Sequence, residues 1–411
     1  MKKIFLLLLA AGLQPVKSLK AQTAVLPLDS VLVRINRINP ALLAYTSKAV
    51  AQKEYAKGAR NLDAPQISAG QYQTPYGLNP NTGSFMIQAQ QQFVNPAKLR
   101  ANERYMEGMS AVTEQEHAYL KNRLLAQARS YYYDQAVLEK KLTLLENTRK
   151  LLEYMLKDAH IKLTYGKEKL PNLYKAKADI FELDNLKLQL GNQLLQNTVM
   201  LNTLMNQDKQ IVFEVDTAIA VQNYETLQTD TATLAAARSD IKLIDRNIRL
   251  QQLNTEVQYS KRKPDFGIQA AHMFSYGGNS NQYILMASVT IPIVPWASRE
   301  YKANLKGIRY ETQQLENEKQ DKLNQAEGQL ASIRLDIRSK KEQLNNYDQN
   351  IVPTLQNSYR AALLAYEQNN GDLLSALIIV RDLLTAKMGR LDRLQELLQL
   401  QVAYERENEK Y

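Results

Sequence analysis

From about residue 98 to residue 163 the chain has no proline and a single glycine, Gly108. The stretch is rich in Leu, Gln, Glu, Lys and Ala, and as one helix it would be roughly 100 Å long at 1.5 Å per residue. A second stretch, about 298 to 366, is expected to form a matching helix. No single globular core needs helices of that length. A chain built this way is expected to make a rod, a bundle or a tube.

The apolar spacing supports helices that pair. From Tyr301 the pattern runs through Leu305, Ile308, Thr312 and Leu315, then Leu323, Ala326, Leu330, Ile333 and Ile337, then Leu344, Tyr347 and Ile351, in steps of three and four within each run. That is a coiled-coil seam, interrupted at Lys319 and Lys340. Residues 170–205 repeat it with Leu173, Ala176, Ile180, Leu183, Leu190, Leu194, Leu201 and Leu204. So does the C-terminal stretch, with Leu373, Leu377, Val380, Leu384, Leu391, Leu394 and Leu398.

The chain also repeats itself. Pro65 and Pro264 lie 199 positions apart, as do Pro96 and Pro295, Arg100 and Arg299, and Gly108 and Gly307. Near the far end of the long helices the offset becomes 201, matching Tyr165 to Tyr366 and Leu173 to Leu374. Each half reads helix, strand, turn, strand, long helix, tight turn, helix. The period is too long for a solenoid and reads as duplication of a whole module. The expected organisation is a first repeat over 22–205, a linker over 206–237 and a second repeat over 238–411. Long helices are expected over ~98–163, ~170–205, ~298–366 and ~372–405. The fold class is mainly α with a small β part.

Four strands are expected, over ~64–74, ~84–94, ~263–275 and ~282–293. In the last, Tyr283, Leu285, Ala287, Val289 and Ile291 alternate with Ile284, Met286, Ser288 and Thr290. One face is mostly apolar and the other polar or small, at about ten residues per strand, which suits a lipid-facing barrel strand. A small soluble sheet capping a helical bundle has the same local pattern. Four strands cannot seal a barrel, and an open edge in lipid is prohibitively costly. Membrane strands would therefore have to be pooled among several chains, twelve from three.

Composition narrows the rest. The N-terminus "MKKIFLLLLAAGLQPVKSLKAQ" has two lysines, an apolar run from Ile4 to Leu13 and a small residue at Ala21. It is expected to be a signal peptide over residues 1–21. Removing it deletes Lys2, Lys3, Lys17 and Lys20 and takes the formal charge from +10 to +6. The basic excess is thus largely a targeting feature, and no nucleic-acid partner is expected. With no cysteine, no disulfide, thiolate metal site or lipoprotein anchor is expected.

Enzyme chemistry finds no foothold. His117, His160 and His272 are isolated, without metal-ligand spacing, and no Gly-rich phosphate loop is present. The tyrosines of "YYYD" (131–134) point around a helix axis and suit wall packing better than a stacking platform. No catalytic residue, cofactor or metal is expected.

Several stretches, in order, resemble the TolC-type outer membrane efflux proteins: "ARSDIKLIDRNIRLQQ", with Ser239 where the family usually has proline, then "KRKPDFGIQAAHMFSYGG", "SVTIPIVPWASREYKAN" and "IVPTLQNSYRAALLAYEQNNGDLLSAL". The resemblance covers essentially the whole mature chain. It implies a homotrimer, with a 12-stranded β-barrel in the outer membrane continuous with a long α-helical barrel crossing the periplasm. It implies a passive conduit that docks with a periplasmic adaptor protein and an inner-membrane pump, carrying small molecules or ions. The "IVP" and "NNGD" stretches look closest to partners of resistance-nodulation-division pumps. An exit duct of a type I protein secretion system, or a periplasmic coiled-coil scaffold without a pore, are the alternatives.

By the same resemblance the two tip turns, "TYGKEKLPNL" (164–173) and "AYEQNNGDLL" (365–374), sit at the periplasmic entrance and touch the adaptor. The residues concerned are Tyr165, Gly166, Pro171 and Leu173 in the first tip, and Tyr366, Asn370, Gly371 and Leu374 in the second. Tyr165, Tyr366, Leu173 and Leu374 are expected to pack the tips. A plain helix-to-helix turn, with Gly and Asn as C-caps and Asp372 as N-cap, accounts for the same residues. Family members often close the entrance with acids after the second tip; here only Asp372 among Asp372, Ser375 and Ile378 is acidic. Pro96, Pro295 and Trp296 would mark the strand-to-helix junctions at the membrane edge.

Overall fold

The computed structural model describes residues 25–77, 81–224, 231–292 and 294–409. The expected signal peptide lies outside these residues. The first part of the chain forms β1 (Val25–Leu26), α1 (Leu28–Ile38), α2 (Pro40–Gly58), β2 (Gln66–Tyr72) and β3 (Ser84–Phe93). The long α3 (Pro96–Thr164) and α4 (Leu170–Leu204) come next, then β4 (Glu214–Val215) and α5 (Thr231–Ala237). The second part forms α6 (Ser239–Ser260), β5 (Asp265–Ser275) and β6 (Gln282–Thr290). It continues through α7 (Pro295–Asn346), a π-helical turn (Tyr347–Ile351), α8 (Val352–Glu367) and α9 (Leu373–Asn408).

The helices form a wall one layer thick. Towards the tips, α4 packs on α3, α3 on α9, and α9 on α7 and α8; towards the sheet, the order is α2, α3, α6, α7. The seam positions of the sequence supply the contacts. Leu145, Leu152 and Met155 of α3, Leu173, Ala176 and Ile180 of α4, and Leu373, Leu377 and Val380 of α9 form one continuous apolar cluster. Midway along, Tyr132 Oη donates to Leu26 O (2.9 Å) and accepts from Asp216 N (3.0 Å). This ties the parallel β1–β4 pair of the equatorial region onto α3. The linker expected over 206–237 thus carries β4 and α5. Ser239 is the first residue of α6, and its hydroxyl donates to Glu409 Oε1 at 2.7 Å.

The second long helix runs without a gap from Pro295 to Glu367, but it is not α throughout: a π turn interrupts it. Pro353 has no N–H, and its ring crowds the carbonyl four residues back. The preceding turn widens, so that Val352 N–H bonds Tyr347 O, five residues back. The widened turn rests on α9. Gly389 leaves room for the Tyr347 ring, and Arg390 bonds both carboxylate oxygens of Asp348. The first repeat has Leu152 near the equivalent position and runs unbroken.

The four main strands form one antiparallel sheet in the order β2–β3–β5–β6. β2 is shorter than expected. It stops at Tyr72 because Gln73 adopts a left-handed conformation, φ 52°. The two hairpin ends touch each other: Tyr276 N donates to Gly83 O at 3.0 Å, and Tyr276 Oη donates to Gln71 Oε1 at 2.7 Å. Gly277 is required at this contact. Its φ is 69°, and a Cβ there would lie 2.5 Å from Asn81 O.

Candidate functional site

Two regions have features that packing alone does not explain, the sheet and the helical tips. In the sheet, the register puts Phe85 beside Phe274, Ile87 beside His272 and Tyr283, and Phe93 beside Phe266 and Val289, all on one face. These large apolar side chains are exposed, as are Ile268 and Leu285 on the same face. The opposite face carries a row Gln66–Gln90–Gln269–Met286 and a row Ser68–Gln88–Ala271–Ile284. Neither hairpin carries an Asp, Glu, Lys or Arg between 64 and 97 or between 266 and 298, in a chain with 23% charged residues. The outer edges of β2 and β6 have no neighbouring strand among the described residues. A soluble sheet of this size would be expected to hide its apolar face and to blunt its edges with charge.

Where the strands become helices, polar groups fix the joint. Asn95 caps α3 by accepting from Ala97 N (3.0 Å), and its Nδ2 donates to Pro264 O (3.1 Å). Asp265 accepts from Asn95 N (2.9 Å) and pairs with Lys98 Nζ (2.5 Å). The two repeats are thereby locked together at the base of the sheet. Pro96 and Pro295 are the first residues of α3 and α7, as proline's preset φ and missing donor allow. Trp296 is 79% exposed. Asn95, Lys98 and Asp265 are not marked by the sequence, where nothing signals partners 170 residues apart.

The two tips share one backbone motif. In the first, Gly166 is left-handed (φ 67°), with Gly166 N bonded to Leu163 O and Lys167 N to Lys162 O. In the second, Asn369 takes that place (φ 57°), with Asn369 N bonded to Tyr366 O and Asn370 N to Ala365 O. Both are Schellman caps. The left-handed position of the second tip is therefore Asn369 and not Gly371. Gly371 instead allows a close approach, since a Cβ there would meet Ala365 Cβ at 3.2 Å. Asp372 caps α9 by accepting from Ser375 N at 3.0 Å. In the first tip Glu168 accepts from Lys169 N and Asn172 Nδ2, both at 2.8 Å, ahead of Pro171.

The packing of the tips differs from the expectation. Leu173 and Tyr366 are buried, but Tyr165 is 75% exposed and Leu374 is also exposed. Leu373 fills the buried place, because Leu374 lies about 100° further round the helix. Lys162, not anticipated from the sequence, joins the two tips. Its Nζ donates to Tyr366 O (2.6 Å), lies 3.6 Å from the Tyr366 ring centroid and pairs with Asp158 (3.3 Å). Burial and the Asp158 carboxylate push the Tyr366 hydroxyl pKa up, so it stays protonated. Hydrogen bonds from Ser375 hold the Asp372 carboxyl below its ordinary range, so it is ionised at neutral pH. Among the described residues no cluster of His, Cys, Asp and Glu could hold a metal, and no helix is long and apolar enough to cross a membrane.

Known structures share this geometry. The outer-membrane channel OprN superposes with a TM-score of 0.76 over 93% of this chain and 89% of its own, at 14% identity. CusC, a protein studied for transmembrane channel formation, gives 0.74 over 93% of this chain and 91% of its own, at 17% identity. The outer membrane protein VceC from Vibrio cholerae gives 0.71 over 93% of this chain and 95% of its own, at 16% identity. The chain has the fold of the TolC-type outer membrane channels. No protein-family model matches the sequence, and no curated protein matches it. In this channel fold the open sheet and the two tips lie at opposite ends of the long helices.

Proposed function

We propose that the protein is the outer membrane channel of a tripartite efflux system. Three copies pool their sheets into a twelve-stranded barrel and their helices into a tube across the periplasm. The tube passively carries small molecules or ions delivered by a periplasmic adaptor and an inner-membrane pump. The observation that carries this reading is the sheet: four strands, two open edges, an exposed apolar face and, beyond Asp265 at its base, no charged residue in either hairpin. Such a surface is stable in lipid only when the edges meet other strands and the apolar face meets acyl chains.

In this reading Pro96, Pro295 and Trp296 mark the membrane edge. Tyr165, Pro171, Asn370, Gly371 and Leu374 are exposed at the tips and meet the adaptor, while Leu173 and Tyr366, with Gly166, set the shape of that surface. Asp372 and Ser375 line the entrance, and the exposed Asp372 carboxylates form a ring that favours cations.

The test is reconstitution. Protein extracted from outer membranes with detergent should give stepwise conductance in planar bilayers, and the particle should be a slender tube with a detergent belt at one end. A protein released by washing without detergent, conducting nothing, would be a scaffold, and the proposal would fall.

A further inference from the structure

Net charge is not spread evenly along the chain. Residues 64–97 and 266–298, which hold the two hairpins, are free of Asp, Glu, Lys and Arg. The five residues on either side of each stretch (59–63, 98–102, 261–265 and 299–303) hold eight Lys or Arg and three Asp or Glu. Residues 22–411 carry a formal +6, so +5 of it stands at the base of the sheet and the rest of that span is balanced to within one charge. Three of the eight cations are paired: Arg60 with Glu103, Lys98 with Asp265 and Lys261 with Glu300. Arg100, Arg262, Lys263, Arg299 and Lys302 are exposed and make no ion pair or side-chain hydrogen bond among the described residues.

The duplication sets these cations at matching points. Arg100 and Arg299 each stand four residues beyond the proline that starts their helix. Four residues rise about 6 Å, and the headgroup layer of a bilayer extends about 5–8 Å beyond the hydrocarbon. Side chains on a helix lean towards its N-terminus. Both arginines, and Lys302 one turn after Arg299, therefore lean back towards the sheet. Trp296, one turn before Arg299, is 79% exposed. Orientation agrees with depth. Lys98 meets Asp265, which alternates with Gly267 and Gln269 on the polar face of β5. Arg100 lies about 200° further round α3, on the side of the apolar face that holds Phe93, Phe266 and Val289. Four heptads on from Arg100 is Ala128, buried with Val31 and Ile35 of α1. Four heptads on from Arg299 is Glu327, which bonds Thr231 of α5. Each arginine is thus in line with the segment that overlies its own helix.

We propose that this basic collar binds the phosphate groups of anionic glycerophospholipids in the leaflet on the helical side of the membrane, with Arg100, Arg299 and Lys302 as the main contacts. A guanidinium group grips two phosphate oxygens through parallel hydrogen bonds, and an ammonium adds a point charge. The loops at the far end of the sheet carry no Lys or Arg, so the opposite leaflet meets no matching cation. The collar rests on reading the sheet as part of a membrane barrel, and it adds which lipid chemistry the chain engages and in which leaflet.

The test is a lipid competition on the detergent-solubilised full chain. The protein is mixed with micelles doped equally with phosphatidylglycerol and phosphatidylcholine of the same acyl chains and passed through a gel-filtration column, and the lipid that stays with it is measured. The parent should hold severalfold more phosphatidylglycerol than phosphatidylcholine, and the preference should shrink as salt rises from about 0.1 to about 1 M. Arg100→Gln with Arg299→Gln and Lys302→Gln should bring the ratio close to one, with particle size and helical circular dichroism unchanged. Lys150→Gln with Lys157→Gln and Arg360→Gln removes as many exposed cations far from the sheet and should keep the preference. Soluble glycerol phosphate at the concentration of the lipid should release little of the bound phosphatidylglycerol. A parent that retains both lipids equally overturns the collar and leaves the channel reading intact. Equal loss of preference in the two triple variants would make it an effect of net charge and would also overturn the collar, and full release by glycerol phosphate would make the site one for free anions. A protein that stays soluble without detergent and retains neither lipid removes both the collar and the membrane reading.

Discussion

Asp372 does two jobs that one pair of substitutions separates. Its carboxylate caps α9, and its charge lies at the proposed entrance. Asparagine also caps helices well, whereas replacing a cap by alanine costs about 1 kcal/mol. Asp372→Asn should therefore lower the cation preference of the channel, read from reversal potentials in a salt gradient, and leave the melting temperature unchanged. Asp372→Ala should lower both. The cap also has a pH signature. Since the folded-state pKa lies below the ordinary 3.8, its contribution is complete above that value and fades as the pH falls through the lowered pKa. A melting temperature that responds equally to the two substitutions would contradict the division. The sequence marks Asp372 through its place before an apolar run; it does not mark Asn369, because asparagine in a left-handed turn leaves no spacing to detect.

Among the elements, the π turn is where the two repeats part company. A turn bonded five residues back holds one more residue than an α-turn, so it can be removed without rotating the helix beyond it. Deleting Asn350 together with Pro353→Ala should give an unbroken helix from Pro295 to the tip, with Tyr366 still buried. Circular-dichroism melts should show stability equal to or above the parent. Deleting Asn147 from the unbroken α3 should instead turn everything beyond it by about 100° and strip residues from the apolar cluster between the tips. Equal damage from both deletions would show that the π turn is not an inserted residue. Pro353 is plain in the sequence, yet proline near a helix start is tolerated, and only the packing of Tyr347 against Gly389 and of Asp348 against Arg390 shows how the helix passes it.

At the scale of the whole molecule, the proposed function makes the sheet depend on lipid. An arginine on the lipid face of a barrel strand costs about 2–4 kcal/mol near the bilayer midplane. Leu285→Arg, in the middle of β6, should cut the amount recovered in the outer membrane fraction severalfold while leaving the helical circular dichroism signal intact. Gln269→Arg, on the opposite face of β5, should insert normally and change only conductance. Equal recovery of both variants would mean that the apolar face does not meet acyl chains.

Helix length, seam spacing, strand alternation and duplication are legible from sequence because each is periodic, and periodicity is what a backbone of fixed rise and twist converts into one face or another. The same local physics places proline at the starts of α3 and α7. The tertiary structure decided the contacts that have no period. Asp265 meets Asn95 and Lys98 at the joint, Lys162 bridges the tips, Gly277 lies against Asn81, and α3 and α9 become neighbours inside the wall. Those depend on which surfaces come together after the elements form, and a side chain's distant partner leaves no trace in its own neighbourhood of the chain.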